Sequence, residues 1–239
     1  MSGHGHGANV AHKKGVNDAK RGKIFSVISK EITVAARSGG GDPNFNIRLR
    51  TCLEKARYAN MPIDNVTRAI QKGTGEIPGI SYEEIVYEGY GPSGVGIIVE
   101  VTTDNKNRSA GEVRSTFTKH GGSMAGAGAV SFNFQHKGQI LIEKSKIVED
   151  KLMELVLNAG ADDLKTFDSY YEVLTTPNAY AGVADALSKA QVVADSSEVA
   201  WLPTTTIPLS EEDKTKLKTL MDALEELDDV QYVWSNMEE

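Results

Sequence analysis

The run Gly73-Thr74-Gly75-Glu76-Ile77-Pro78-Gly79 divides this chain, because three glycines and a proline in seven residues support neither helix nor strand. Before it, apolar residues recur at helical spacing. After it, strand and helix patterns alternate. One fold does not accommodate both periodicities, so a small helical domain is expected to precede separate α/β structure. With 239 residues, 40% of them hydrophobic, the chain is long enough for two or three domains with their own cores.

In the first part, Ile24, Ile28, Ile32 and Ala35 form the apolar stripe of an amphipathic helix that stops at Gly39-Gly40-Gly41. At 100° per residue Lys23, Lys30 and Arg37 fall on the opposite side, a basic ridge facing away from the core. A second helix is expected from about Asn46 to Ala59, with Leu49, Cys52, Leu53 and Ala56 inward; Arg50 and Arg57 flank one side of that stripe, Arg48 and Lys55 the other. Pro62 opens a third helix, in which Ile63, Val66 and Ile70 point inward and Gly73 follows the end.

Beyond the divide, strands at Ile85–Tyr90 and Val95–Thr103 and a helix over 105–120 lead to a further strand near 130–134. A series then begins at Gln139: strand, helix, strand, strand, helix, strand, ending near Trp201. This βαββαβ order is complete in itself and matches a ferredoxin-like split sheet. The remaining pieces are a strand at Thr204–Leu209, a helix capped by Ser210 and a strand at Gln231–Trp234, too few to fold alone. They are expected to return to the earlier sheet. The expected fold class is therefore α+β: a three-helix domain (1–80), a discontinuous α/β domain (81–136 plus 203–239) and an inserted ferredoxin-like α/β domain (137–202).

The net charge of −7 conceals an asymmetry. Residues 1–80 carry 13 lysines and arginines against 6 acids, and the remainder 13 against 27. A basic first third points to a polyanion partner for that part. The candidate nucleic-acid-binding residues are Lys13, Lys14, Lys20, Arg21, Lys23, Lys30, Arg37, Arg48, Arg50, Lys55 and Arg57. Lys106 and Arg108 join them, because Asp104-Asn105-Lys106-Asn107-Arg108 hands a strand over to a helix, and a helix N-terminus with basic side chains in its first turn is a phosphate site as well as a cap. The aromatic residues of the basic part are Phe25, Phe45 and Tyr58, with Phe25 expected in the core, which gives little support to base-specific reading of single strands. The second and third helices could instead form a helix-turn-helix offering Asn65, Thr67, Arg68, Gln71 and Lys72 to a major groove, although any helical hairpin in a bundle shows that spacing.

Other chemistries find less support. His4, His6 and His12 lack acidic or thiolate companions, so no metal is expected. Gly121-Gly122 and Gly126-Ala127-Gly128 have neither the lysine of a phosphate-binding loop nor dinucleotide spacing, and no cofactor is expected. Cys52, on an apolar helix face, reads as a small buried hydrophobe. No catalytic constellation is visible, and the chain is read as non-enzymatic. One cysteine, no signal-like apolar run and no stretch of about 20 apolar residues indicate a cytoplasmic protein without a membrane partner. No heptad marks a dimer, and the oligomeric state stays open. Glu225-Glu226 and Asp228-Asp229 lie unfavourably near a helix C-terminus, as if to meet a basic surface.

The run Gly3-His4, Ala8-Asn9-Val10, His12-Lys13-Lys14 and Asp18-Ala19-Lys20-Arg21-Gly22-Lys23-Ile24-Phe25 resembles the opening of the YebC/PmpR family, which includes mitochondrial translational activators of cytochrome oxidase. Gly39-Gly40-Gly41-Asp42-Pro43, Arg48-Leu49-Arg50, Asn60-Met61-Pro62, Tyr87-Glu88-Gly89-Tyr90-Gly91-Pro92 and Thr103-Asp104-Asn105-Lys106-Asn107-Arg108 resemble its later motifs in the same order. The resemblance implies three domains, no enzymatic activity, and either DNA-binding transcriptional regulation or a ribosome-associated role in translation. The leading expectation is a translation factor that binds ribosomal or transfer RNA, and the alternative is a regulator of promoter DNA. At the arm the sequence departs from the family: Gly5, His6 and Gly7 stand where relatives carry Ser-Lys-Trp, and Ala11 replaces a lysine.

Overall fold

The computed structural model describes residues 18–238, with side chains from Gly22 onward. The chain forms two units, one of residues 17–134 and 203–239, the other containing residues 135–202.

The larger unit opens with three helices, α1 (Asp18–Gly39), α2 (Ile47–Tyr58) and α3 (Ile63–Thr74). Ile28, Ile32, Ala35, Leu49, Cys52, Ala56, Val66 and Ala69 make their common core, as the 3.6-residue period requires. Asn46 caps α2 by accepting from the Leu49 amide at 3.0 Å. Gly73 does not follow α3 but lies inside it: a Cβ there would meet the Thr33 carbonyl at 2.5 Å and the Ala36 Cβ at 2.7 Å, so glycine sets the approach of α3 to α1. The helix ends instead at Gly75, whose φ of 80° supplies the left-handed cap.

The same unit continues through β1 (Glu83–Tyr90), β2 (Gly96–Thr103), α4 (Lys106–Lys119) and β3 (Ser123–Ala125). After the second unit it ends in α7 (Glu211–Glu225) and β8 (Val230–Ser235). The sheet order is β3-β1-β2-β8, with each pairing antiparallel. Ile97, Val99 and Val101 of β2 pack with Val113 and Phe117 of α4 and with Leu217, Leu220 and Leu224 of α7. The C-terminal helix and strand return to this sheet, β8 pairing with β2 as a new edge strand and α7 completing the core. Two local expectations give way. Residues 131–133 form a 3₁₀ turn, and the expected strand at 204–209 contributes a lone bridge between Ile207 and Met237. Too few residues there remain opposite a neighbouring strand to build a ladder.

The second unit takes up β4 (Phe134–Glu143), α5 (Glu149–Asn158), β5 (Asp163–Thr166), β6 (Tyr170–Thr175), α6 (Pro177–Lys189) and β7 (Ser196–Pro203). Its sheet order, β5-β6-β4-β7, places the first and third strands at the centre, the ferredoxin-like arrangement. Ile140, Ile142, Val173, Leu152, Val156 and Val183 fill the space between sheet and helices. Among the described residues no helix is long and apolar enough to cross a membrane.

Candidate nucleic-acid interface

The cations of the helical domain fall into two groups. The first faces the sheet of its own unit. Lys30 is 8% exposed, and its ammonium donates to Asp229 Oδ1 at 2.8 Å, the Asp228 carbonyl at 2.8 Å and the Thr102 carbonyl at 3.1 Å. Asp229 also accepts from Thr103, Ser109 and Arg108 at 2.7 to 2.9 Å. Burial would raise its pKa, but the hydrogen bonds from Lys30, Arg108, Ser109 and Thr103 outweigh that and hold the carboxyl below the usual aspartate range. Lys23 donates to the Leu227 carbonyl, and Arg37 to the Ser81 hydroxyl. The ridge Lys23-Lys30-Arg37 thus does not face solvent throughout: opposite the helical core lies a second, polar seam against β2 and the approach to β8.

The inner flank of α2 joins this seam. Lys55 bonds Glu31 at 3.2 Å and the Tyr232 hydroxyl at 3.0 Å. Burial lowers the Lys55 pKa, but the Glu31 carboxylate beside it prevails, so this lysine stays charged well beyond its ordinary range. Arg48 pairs with Glu84 at the open rim, both about half exposed. Lys30 and Lys55 are therefore structural cations: Asp229, from the acidic remainder of the chain, supplies the counter-charge of Lys30, and Glu31 of α1 that of Lys55. Asp229, near the C-terminal end of α7, meets its basic surface within the same chain.

The second group faces outward. At 100° per residue Arg50, Glu54 and Arg57 line the side of α2 away from both the helical core and the sheet, and Arg68 and Lys72 line the outer side of α3. Arg50 is anchored to the Pro43 carbonyl at 3.1 Å and the Asn44 carbonyl at 3.4 Å. Arg57, Arg68 and Lys72 are exposed, and none forms an ion pair among the described residues. Arg68 and Lys72 entered the sequence reading only through the helix-turn-helix alternative; the four-residue spacing that keeps them on one face was the available signal.

At the start of α4, Asn105 caps the helix by accepting from the Arg108 amide at 3.1 Å. Lys106 is exposed, whereas Arg108 is drawn to Asp104 and Asp229, both at 2.7 Å. Lys13 and Lys14, with the altered arm and its histidines, lie outside the described residues, as do the side chains of Lys20 and Arg21. Cys52 is buried, and burial pushes its thiol up to about 12, which makes it a poor nucleophile.

A three-helix domain with an outward cationic face, joined to two four-stranded antiparallel sheets, one ferredoxin-like, defines a class of α+β proteins. The first part, residues 6–76, matches the family model described as the TACO1/YebC protein N-terminal domain, and residues 82–237 match the TACO1/YebC second and third domain. The chain belongs to the YebC family. It is 53% identical over 240 residues to a protein of Persephonella marina named a probable transcriptional regulatory protein, covering 100% of this chain and 96% of that one. A protein of the same name from Opitutus terrae is 55% identical over 239 residues, with 100% and 96% covered. The crystal structure of a conserved hypothetical protein from Aquifex aeolicus superposes with a TM-score of 0.82 at 44% identity, covering 98% of this chain and 97% of that one.

Proposed function

We propose that this chain is a non-enzymatic, nucleic-acid-binding regulator of gene expression that acts in translation, gripping ribosomal or transfer RNA phosphates with its helical domain. The observation that carries this reading is the set of exposed cations Arg57 on α2 and Arg68 and Lys72 on α3, without an intramolecular counter-ion on a domain whose other described cations are largely engaged. Such charges favour a phosphate backbone, since each releases a condensed counter-ion when it binds. Lys106 at the start of α4, Arg50 on α2, and Lys13, Lys14, Lys20 and Arg21 of the N-terminal segment extend the proposed contact set. In the helical domain α1 packs against both α2 and α3, which make few contacts with each other. A helix-turn-helix would instead hold its recognition helix against the preceding one.

The second reading, regulation of transcription through DNA, is favoured by the names of the relatives. The deciding experiment is crosslinking in growing cells with RNA and DNA recovered in parallel, comparing the natural chain with a triple Arg57→Glu, Arg68→Glu, Lys72→Glu variant. Ribosomal or transfer RNA recovered with the natural chain and lost in the variant is the expected result. Discrete promoter DNA without ribosomal RNA would replace translation by transcription.

A further inference from the structure

Two large aromatic side chains of the helical domain stand in solvent: Phe45 is 87% exposed and Tyr58 72%. Folding draws such rings inward, because each removes a large apolar area from water. Here the backbone prevents it. Phe45 sits on a turn closed by its own amide to the Asp42 carbonyl at 3.1 Å. The adjoining Asn46 is buried, its side chain donating to the Ala35 and Gly40 carbonyls at 2.8 Å each. Tyr58 is the last residue of α2, followed by Ala59, whose amide bonds the Lys55 carbonyl at 2.9 Å, and by the buried Met61. Its hydroxyl has no hydrogen-bond partner among the described residues. The Arg57 guanidinium lies 5.5 Å from the centre of the Tyr58 ring.

A shallow groove runs along α2, lined by Pro43, Asn44, Arg50, Leu53, Glu54 and Arg57; Phe45 follows Asn44 in the chain and Tyr58 follows Arg57. A twelve-residue helix spans about 18 Å. We propose that this groove holds single-stranded RNA, with unpaired bases stacked on Phe45 and Tyr58 and the phosphates between them following the arginines. Stacking needs a free base face, which a duplex covers. Rings held rigidly in water beside arginines are the recurring platform for single strands. A second copy of the chain seated on this groove would bring Arg50 and Arg57 against themselves, which like-charge repulsion opposes. Glu54 repels phosphate but can accept a hydrogen bond from a base amino group, so it belongs on the base side of the strand.

This inference rests on the RNA reading of the helical domain, and the test separates the two. Fluorescence anisotropy is measured on the full chain with a labelled mixed-sequence single-stranded RNA, the same strand with abasic residues, a DNA strand of that sequence and duplex DNA. Phe45→Ala and Tyr58→Ala are each expected to weaken binding of the intact RNA about fivefold or more and to leave abasic RNA unchanged, while Tyr58→Phe retains the natural affinity. Both rings are exposed, and circular dichroism checks that the variants fold. Equal binding of intact and abasic strands, or alanine variants without effect, overturns stacking while leaving phosphate binding in place. Tighter binding of the DNA strand or the duplex than of RNA overturns the assigned ligand. No RNA binding by the natural chain overturns both readings.

Discussion

The inner side of the helical domain carries Lys23, Lys30, Arg48 and Lys55; the outer side carries Arg50, Arg57, Arg68 and Lys72. The residue types and the helices are alike, but the surroundings differ. Every inner cation meets an oxygen of the sheet or the segments flanking it, and Lys30 and Lys55 lose most of their contact with water doing so. The outer cations meet solvent or, for Arg50, the carbonyls of a neighbouring turn. A basic helix face thus becomes evidence for a polyanion only after the chain's own carboxylates have been assigned.

The comparison breaks most visibly at Asp229. Asp229→Ala leaves the Lys30 ammonium buried without its counter-charge, and the expected cost is about 3–5 kcal/mol of unfolding free energy in urea. A loss below about 1 kcal/mol would mean that water screens the seam and that inner and outer cations do not differ. The pH dependence has a defined sign. Because the folded-state pKa is depressed, the stabilisation is fully present above the ordinary aspartate value of about 3.9 and is lost as the pH falls past it towards the folded value. Stability attributable to this group should stay level from pH 7 to about 5, then decline on further acidification in the natural chain but not in the variant.

Next in size is Gly73→Ala. The added methyl collides with backbone of α1, so α3 must move away, at a cost of about 1–3 kcal/mol measured by the same unfolding. The Thr33 hydroxyl, which donates to the Ala69 carbonyl at 3.1 Å, loses its geometry at the same time. An unchanged stability would show that the two helices slide freely and that the outer face has no fixed shape.

These two residues also mark where sequence reasoning reaches its limit. Periodicity located the three helices, the ferredoxin-like series and the return of the C-terminal strand, because a buried stripe repeats in sequence whatever it packs against. Gly73 looked like a helix stop, since a glycine needed for close packing and one needed for a turn are the same letter. Lys30 looked like a phosphate contact because its acid partner lies 199 residues away along the chain. Three aromatic residues in the basic part give little support to base stacking, because the sequence does not carry the exposure of Phe45 and Tyr58. The turn at Phe45 is closed locally by the Asp42 carbonyl, while the buried Asn46 beside it reaches back to the Gly40 and Ala35 carbonyls, the last of these on α1.

Salt dependence sharpens the contrast further. Arg57→Gln, Arg68→Gln and Lys72→Gln should each reduce the slope of log affinity for single-stranded RNA against log salt by about 0.7. Lys55→Met, on the inner side, should leave that slope unchanged even where it alters stability. Equal slopes for all four variants would erase the distinction between seam and surface.

The smallest expected effect lies at the rim, where Arg48 and Glu84 form an ion pair with both side chains about half exposed. Such a pair contributes little to stability, about 0–1 kcal/mol, so Glu84→Gln should barely move the unfolding curve. It does release a cation. Arg48 lies on α2 at the boundary between the inner and outer sides, and without a carboxylate to hold it the guanidinium is free to turn towards solvent. The RNA salt slope should then steepen, by at most the 0.7 or so of one added phosphate contact, and affinity should rise slightly at low salt. A gain of binding from removing an acid would show that intramolecular pairing withholds the inner cations from RNA. An unchanged slope would place Arg48 permanently with the seam and fix the edge of the interface at Arg50.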